Sequence, residues 1–194
     1  AVINDMRLRQ KTAQKTLARE FRAQPNAAHK LNKSYNFLTD CLIHTAWMMA
    51  TKVLHELSEP TKGERLSVLA VGGYGRGEMA PHSDVDLLFL TPYKQTPWSK
   101  NIIESMLYIL WDLKLKIGHA SRTVKECLRL GKEDFTIRTA MLEQRHICGD
   151  LEIAQELEET LWSGLFRGTT NEFIDAKLRE REARHIKKVA NVTW

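Results

Sequence analysis

The spacing of apolar residues changes twice along this chain, from helical to strand-like and back again. No Gly or Pro interrupts the stretch from Asp5 to Arg22, and Pro25 closes a first predicted helix. Leu31, Tyr35, Leu38, Leu42, Ala46, Met49, Val53 and Leu57 then recur at steps of three and four. That stripe predicts a second, long helix packed on the rest of the protein and ended by Pro60. Next come two short apolar runs, Leu66–Val71 stopping at Gly72-Gly73 and Val85–Leu90 stopping at Thr91-Pro92. Mostly apolar runs of this length read as buried strands. A helix is predicted after Pro97, with Ile103, Met106, Leu107, Leu110 and Leu113 on one side. Lys114-Leu115-Lys116-Ile117 alternates polar and apolar, which predicts a third strand ending at Gly118.

Helical signals then return. Thr123 and Glu126 have capping-box spacing, with Gly131 as the expected stop. Asp134 is placed to cap a helix running to about Cys148, with Gly149 just beyond. Leu151, Ala154, Leu157 and Leu161 mark another helix, and a highly charged one is expected from Asn171 onward. The resulting fold class is α/β (α+β): a small mixed sheet embedded in helices. Residues 1–60 form a helical segment, 61–150 the core, and 151–194 the start of a second helical segment.

Composition narrows the function classes. With 194 residues, 43% hydrophobic and 27% charged, the chain is that of a globular protein. No apolar run is long enough for a bilayer, so no membrane partner is expected. Cys41, Cys127 and Cys148 form no C-x-x-C pair, which points to reduced thiols and a cytoplasmic location. The net charge of +5 is spread among alternating acids and bases, so no nucleic acid partner is expected. The chain begins with Ala and stops inside a charged helical pattern, as a piece of a longer protein would.

The chemistry concentrates between the two apolar runs. Asp84 and Asp86 are separated by one residue at the mouth of a strand, so both carboxylates point the same way. Acids aimed at one point repel each other unless a cation joins them, and Mg2+ is typically held by such a pair together with substrate phosphates. Gly72 and Gly73 let backbone N–H groups approach phosphate oxygens, and Arg76 can add a charge-assisted contact. Gly77 is followed by Glu78 rather than Lys-Ser or Lys-Thr, which excludes a Walker loop. Gly73, Gly75 and Gly77 are each two apart, which excludes a dinucleotide fingerprint. Two glycines, about ten residues, then D-x-D resemble the core signature of the DNA polymerase β-like nucleotidyltransferases.

Two longer stretches narrow the resemblance. Gly72-Gly-Tyr-Gly-Arg-Gly-Glu78 with Pro81-His-Ser-Asp-Val-Asp-Leu-Leu88 resembles the active-site segment of bacterial PII uridylyltransferase/uridylyl-removing enzymes. So does Leu110-Trp-Asp-Leu-Lys-Leu-Lys-Ile-Gly-His-Ala-Ser-Arg-Thr123. The resemblance implies transfer of UMP from UTP to a tyrosine of a PII signalling protein, with Mg2+ as cofactor. It implies Asp84 and Asp86 as catalytic metal ligands, Gly72 and Gly73 as the triphosphate cradle, and Arg76 and Ser83 as further nucleotide contacts. In that family uridylyl removal and glutamine sensing belong to other domains, so this chain would carry the transferase part alone. Many members of the superfamily add a third carboxylate on a later strand. Asp112 and Glu126 are out of position for it, and the third ligand stays unassigned. His119 and Arg122 belong to the second motif and are candidates to approach the nucleotide, His119 equally as a strand-end hydrogen-bonding residue. Trp111 is expected in the core, and His82 in a turn. Two other functions stay open: adenylyl transfer to a protein or an RNA, and a non-catalytic nucleotide-binding module.

Overall fold

The computed structural model describes residues 2–81 and 83–167, with short helical pieces at 174–175, 177–179 and 181–182. His82 and most of the helix expected from Asn171 lie outside the described residues. The chain opens with α1 (Val2–Ala23), a 3-10 turn (Pro25–Ala27) and α2 (Ala28–Met49), which runs on as a π-helical turn to Leu54. After β1 (Ser67–Ala70), a single helical turn α3 (Gly72–Gly75) and β2 (Val85–Thr91) comes α4 (Pro97–Asp112). Then follow β3 (Ile117–Thr123), α5 (Val124–Glu133), α6 (Phe135–Leu142), β4 (Arg145–Gly149) and α7 (Leu151–Leu161).

The sheet order is β3-β2-β1-β4, with β1 antiparallel to both neighbours and β2 parallel to β3. Parallel partners need a long crossover, and α4 supplies it. The two central strands are apolar on both faces because both are covered. Val68, Ala70, Val85, Leu87 and Phe89 pack with Ile43, Ala46, Ile102, Met106 and Leu110 of α2 and α4. Leu69, Leu88 and Leu90 pack on the other side with Cys127, Met141, Ile153 and Leu157 of α5, α6 and α7. Full burial of each such side chain contributes roughly 1.5–3 kcal/mol. Among the described residues no helix is long and apolar enough to cross a membrane.

Several local expectations are corrected. The third strand is Ile117–Thr123, not 114–117. Lys114 adopts φ 60, and the Leu115 amide donates back to the Leu110 carbonyl, so these residues turn the chain rather than extend it. Their alternation arises because Leu113 and Leu115 both reach the core from that turn. The helix capped by Asp134 ends at Leu142, and Arg145–Gly149 pairs with β1 as an edge strand. Gly131 lies inside α5 instead of ending it; its lack of a side chain leaves room for Met141, whose Cε would stand 2.5 Å from a Cβ there. The buried face of α2 is Asn36, Thr39, Leu42, Ile43 and Ala46; it includes Leu42 and Ala46 of the predicted stripe, and Leu38 and Met49 pack partly buried beside it. Val53, from that stripe, is 73% exposed after the π-turn rotates the face away. Trp111, expected in the core, is 44% exposed.

Candidate functional site

The site begins where β1 runs out. Val71 stays extended, and its amide donates to the Asp86 carbonyl at 3.1 Å, so the chain leaves the sheet alongside Asp86. Gly72 then takes φ +60, a conformation that disfavours any side chain, and starts the helical turn α3. The first amides of a helix have no partner within it, so those of Gly72 and Gly73 face outward from the turn. Gly75 has a different reason. A Cβ there would fall 1.7 Å from the carbonyl oxygen of Glu143, where the connection from α6 to β4 crosses the turn.

Asp86 sits between two glycines. A Cβ on Gly72 would lie 3.6 Å from Asp86 Oδ2, and one on Gly118 would lie 2.3 Å from Oδ1. Gly118 is the β3 residue paired with Asp86, so the carboxylate lies over the space that a side chain at 118 would fill. Asp84, two residues earlier and exposed, shares this face. Neither carboxylate has a hydrogen bond or ion pair to any described residue. Burial raises the Asp86 pKa above the ordinary carboxylate value, and the charge of Asp84 raises it further. The pair is therefore short of positive charge.

In front of Asp86 lies a cleft of about 250 Å³, walled by Ile137, Ala140 and Met141 of α6 and floored by Gly72, Leu88, Gly118 and Ala120. His119 and Arg122 line it as well. His119 also meets Trp111, at 6.4 Å between ring centroids, and Trp111 in turn meets Tyr108 at 5.8 Å. The carboxylate face of β3 carries Gly118, Ala120 and Arg122, so the neighbouring strand supplies no third acid. Among the described residues no group of three or more His, Cys, Asp or Glu side chains is arranged to hold a metal.

Other residues singled out from the sequence are placed elsewhere. Arg76 is held by Glu78 at 3.1 Å and Glu143 at 2.5 Å, and its guanidinium leans toward Gly73 rather than lining the cleft. Ser83 is exposed and lines a cavity on the far side of β2. Tyr74 is buried behind the turn, where its hydroxyl donates to Asp40 of α2. Arg145 of β4 clasps the same carboxylate with two bonds, 2.9 and 3.1 Å, and stacks over the Tyr74 ring. Burial, with the Asp40 charge, pushes the Tyr74 phenol well above its ordinary pKa, so it remains a neutral donor. Gly118 was read only as a strand end. The parallel pairing that seats Asp86 on it is a tertiary fact with no local signature. Arg122, in contrast to Arg76, has no ion pair to a described residue.

This geometry is that of a nucleotidyltransferase domain, and the family model for that domain matches residues 50–141. More narrowly, the chain is a relative of the bifunctional uridylyltransferase/uridylyl-removing enzymes. It is 56% identical to the one from Ruegeria pomeroyi over 97% of its own length and 21% of the relative's. It is 61% identical to that of Cereibacter sphaeroides over 88% of this chain and 18% of the relative's length. Against the Erythrobacter litoralis enzyme the figures are 42%, 95% and 20%. The chain thus spans about a fifth of the length of the curated relatives it matches.

Proposed function

We propose that this chain transfers UMP from UTP to a tyrosine of a PII-type signalling protein, in the cytoplasm and with Mg2+ as cofactor. The observation that carries the reading is the unneutralised pair Asp84 and Asp86, seated on Gly118 beside the Gly72-Gly73 turn. The donor set fits the cation: two carboxylates with unspent oxygens, the more buried one disfavoured as an anion, and space left for phosphate and water. When bound, Mg2+ would offset charge on the triphosphate and on the departing pyrophosphate. Gly72 and Gly73 would orient the triphosphate through their outward amides. Arg122 rather than Arg76 is the cation free to meet a phosphate from within the cleft. The walls from α6 would limit water around the α-phosphorus, which the tyrosine oxygen attacks as the bond to pyrophosphate breaks. The uracil preference and the PII acceptor rest on the family resemblance, which the relatives' names support as far as uridylyl transfer.

A second reading is a nucleotide-binding module without transfer, favoured by the lack of a third acid on β3. One assay separates the readings. The full chain is incubated with α-labelled UTP or ATP and either a PII-type protein or RNA. Label passing from UTP to the protein supports the proposal. Label from ATP, label on RNA, or binding without transfer overturns it.

A further inference from the structure

Behind the carboxylate pair lies a second concave site. Strand alternation turns Ser83 and Val85 away from Asp84 and Asp86, into a cavity of about 590 Å³ between α1, α2 and the turn before β3. Four cations line it: Arg7 and Lys11 from α1, Lys114 and Lys116 from the turn. No acid is among the lining residues, and none of the four has an ion pair to a described residue. The left-handed conformation of Lys114, φ 60, belongs to the turn that brings both lysines to the rim.

The cavity also holds unspent polar groups. Gln10 is 5% exposed, lines the cavity, and makes no hydrogen bond to a described residue. Its amide is therefore available to a polar occupant of the cavity. Arg7 spends two of its nitrogens on Asn4 and the Asp112 carbonyl, at 3.2 and 3.0 Å, which fixes its guanidinium. Its Nε stays enclosed and unpaired. Like charges gathered without a counter-charge repel, and an anion with several acceptor oxygens relieves that repulsion and offers acceptors to the lysines, Arg7 and the Gln10 amide.

We propose that this cavity is a binding site for a small phosphate-bearing polyanion, separate from the carboxylate cleft. Lysine ammonium groups and a fixed guanidinium suit phosphate oxygens, and the volume accommodates a pyrophosphate group. The occupant bears on Ser83 and Val85, whose chain neighbours are the two carboxylates, so it acts on the site from behind. Free pyrophosphate and the phosphate tail of a nucleotide share this chemistry.

The test uses inorganic pyrophosphate with EDTA present, followed by calorimetry on the full chain. One saturable site is expected, weakened about tenfold or more by Lys11→Gln and by Lys116→Gln, each the loss of a charge-assisted contact. Gln10→Leu should also weaken it. Asp86→Asn should leave it unchanged. The lysines are exposed, so melting temperatures check that their variants stay folded. Absence of saturable binding, equal binding by both lysine variants, or loss of binding in Asp86→Asn overturns the proposal. With the site upheld, competition by UTP marks a nucleotide tail as the source, and its failure marks free pyrophosphate.

Discussion

Two carboxylates flank the glycine-rich turn, and they are treated in opposite ways. Asp40, behind it, takes two bonds from Arg145 and one from the Tyr74 hydroxyl, tying α2, β4 and the turn together. Asp86, in front of it, takes none from the described residues, is partly desolvated, and faces a second acid. A protein gains nothing for its own stability from the second arrangement. The contrast separates an acid that holds the fold from one left unsatisfied, as the proposed metal-bound nucleotide requires.

Four substitutions press on that contrast. The largest effect is expected from Gly118→Ala. Its Cβ would displace the Asp86 carboxylate, and a misplacement of about 1 Å costs on the order of 100-fold in rate. Uridylyl transfer should fall by about that factor, with urea denaturation little changed because the displaced group is a side-chain end. A wild-type rate would mean that the seat of Asp86 is not set by the empty position at 118. On the other side, Asp40→Ala leaves Arg145 and Tyr74 without their acceptor. We expect a loss of about 2–3 kcal/mol in urea denaturation, at the low end for a broken pair because both partners are partly exposed. Stability equal to the wild type would remove Asp40 from its structural role. Tyr74→Phe deletes one bond of the cluster and should cost about 1 kcal/mol in the same measurement.

The smallest effect concerns pH. The Asp86 pKa is raised in the folded state, so its ionisation disfavours the fold. The stability it contributes is present below the unfolded pKa of about 4 and is lost as pH rises through the higher folded value. Without divalent metal, Asp86→Asn should therefore melt about a degree or two higher at neutral pH. The gap should close toward about pH 3, where the acid is neutral in both states. A variant that melts lower at neutral pH would contradict the shift.

Some of this was legible in the residues alone. The central strands announced themselves because burial on both faces leaves mostly apolar runs at Leu66–Val71 and Val85–Leu90, interrupted only by Ser67 and Asp86. The cap at Thr123 and Glu126 was visible because its bonds span three residues. The edges of the sheet were not. Ile117–Thr123 and Arg145–Gly149 are half-exposed and mixed in polarity, and they become strands because β2 and β1 offer them a hydrogen-bond ladder. At the site, the spacing of Asp84 and Asp86 gave their shared face, whereas the seat on Gly118 depends on the register of two strands about thirty residues apart. The engagement of Arg76 was legible only in part. Glu78 stands two residues on, whereas its other partner, Glu143, arrives from far along the chain.

The most direct measurement is the affinity of the full chain for UTP with and without Mg2+, in the wild type and in Asp84→Asn and Asp86→Asn. Wild-type binding should tighten with the metal, and each variant should lose most of that gain while melting as a folded protein. Equal tightening in all three would contradict the assignment of these acids to a metal-bound nucleotide.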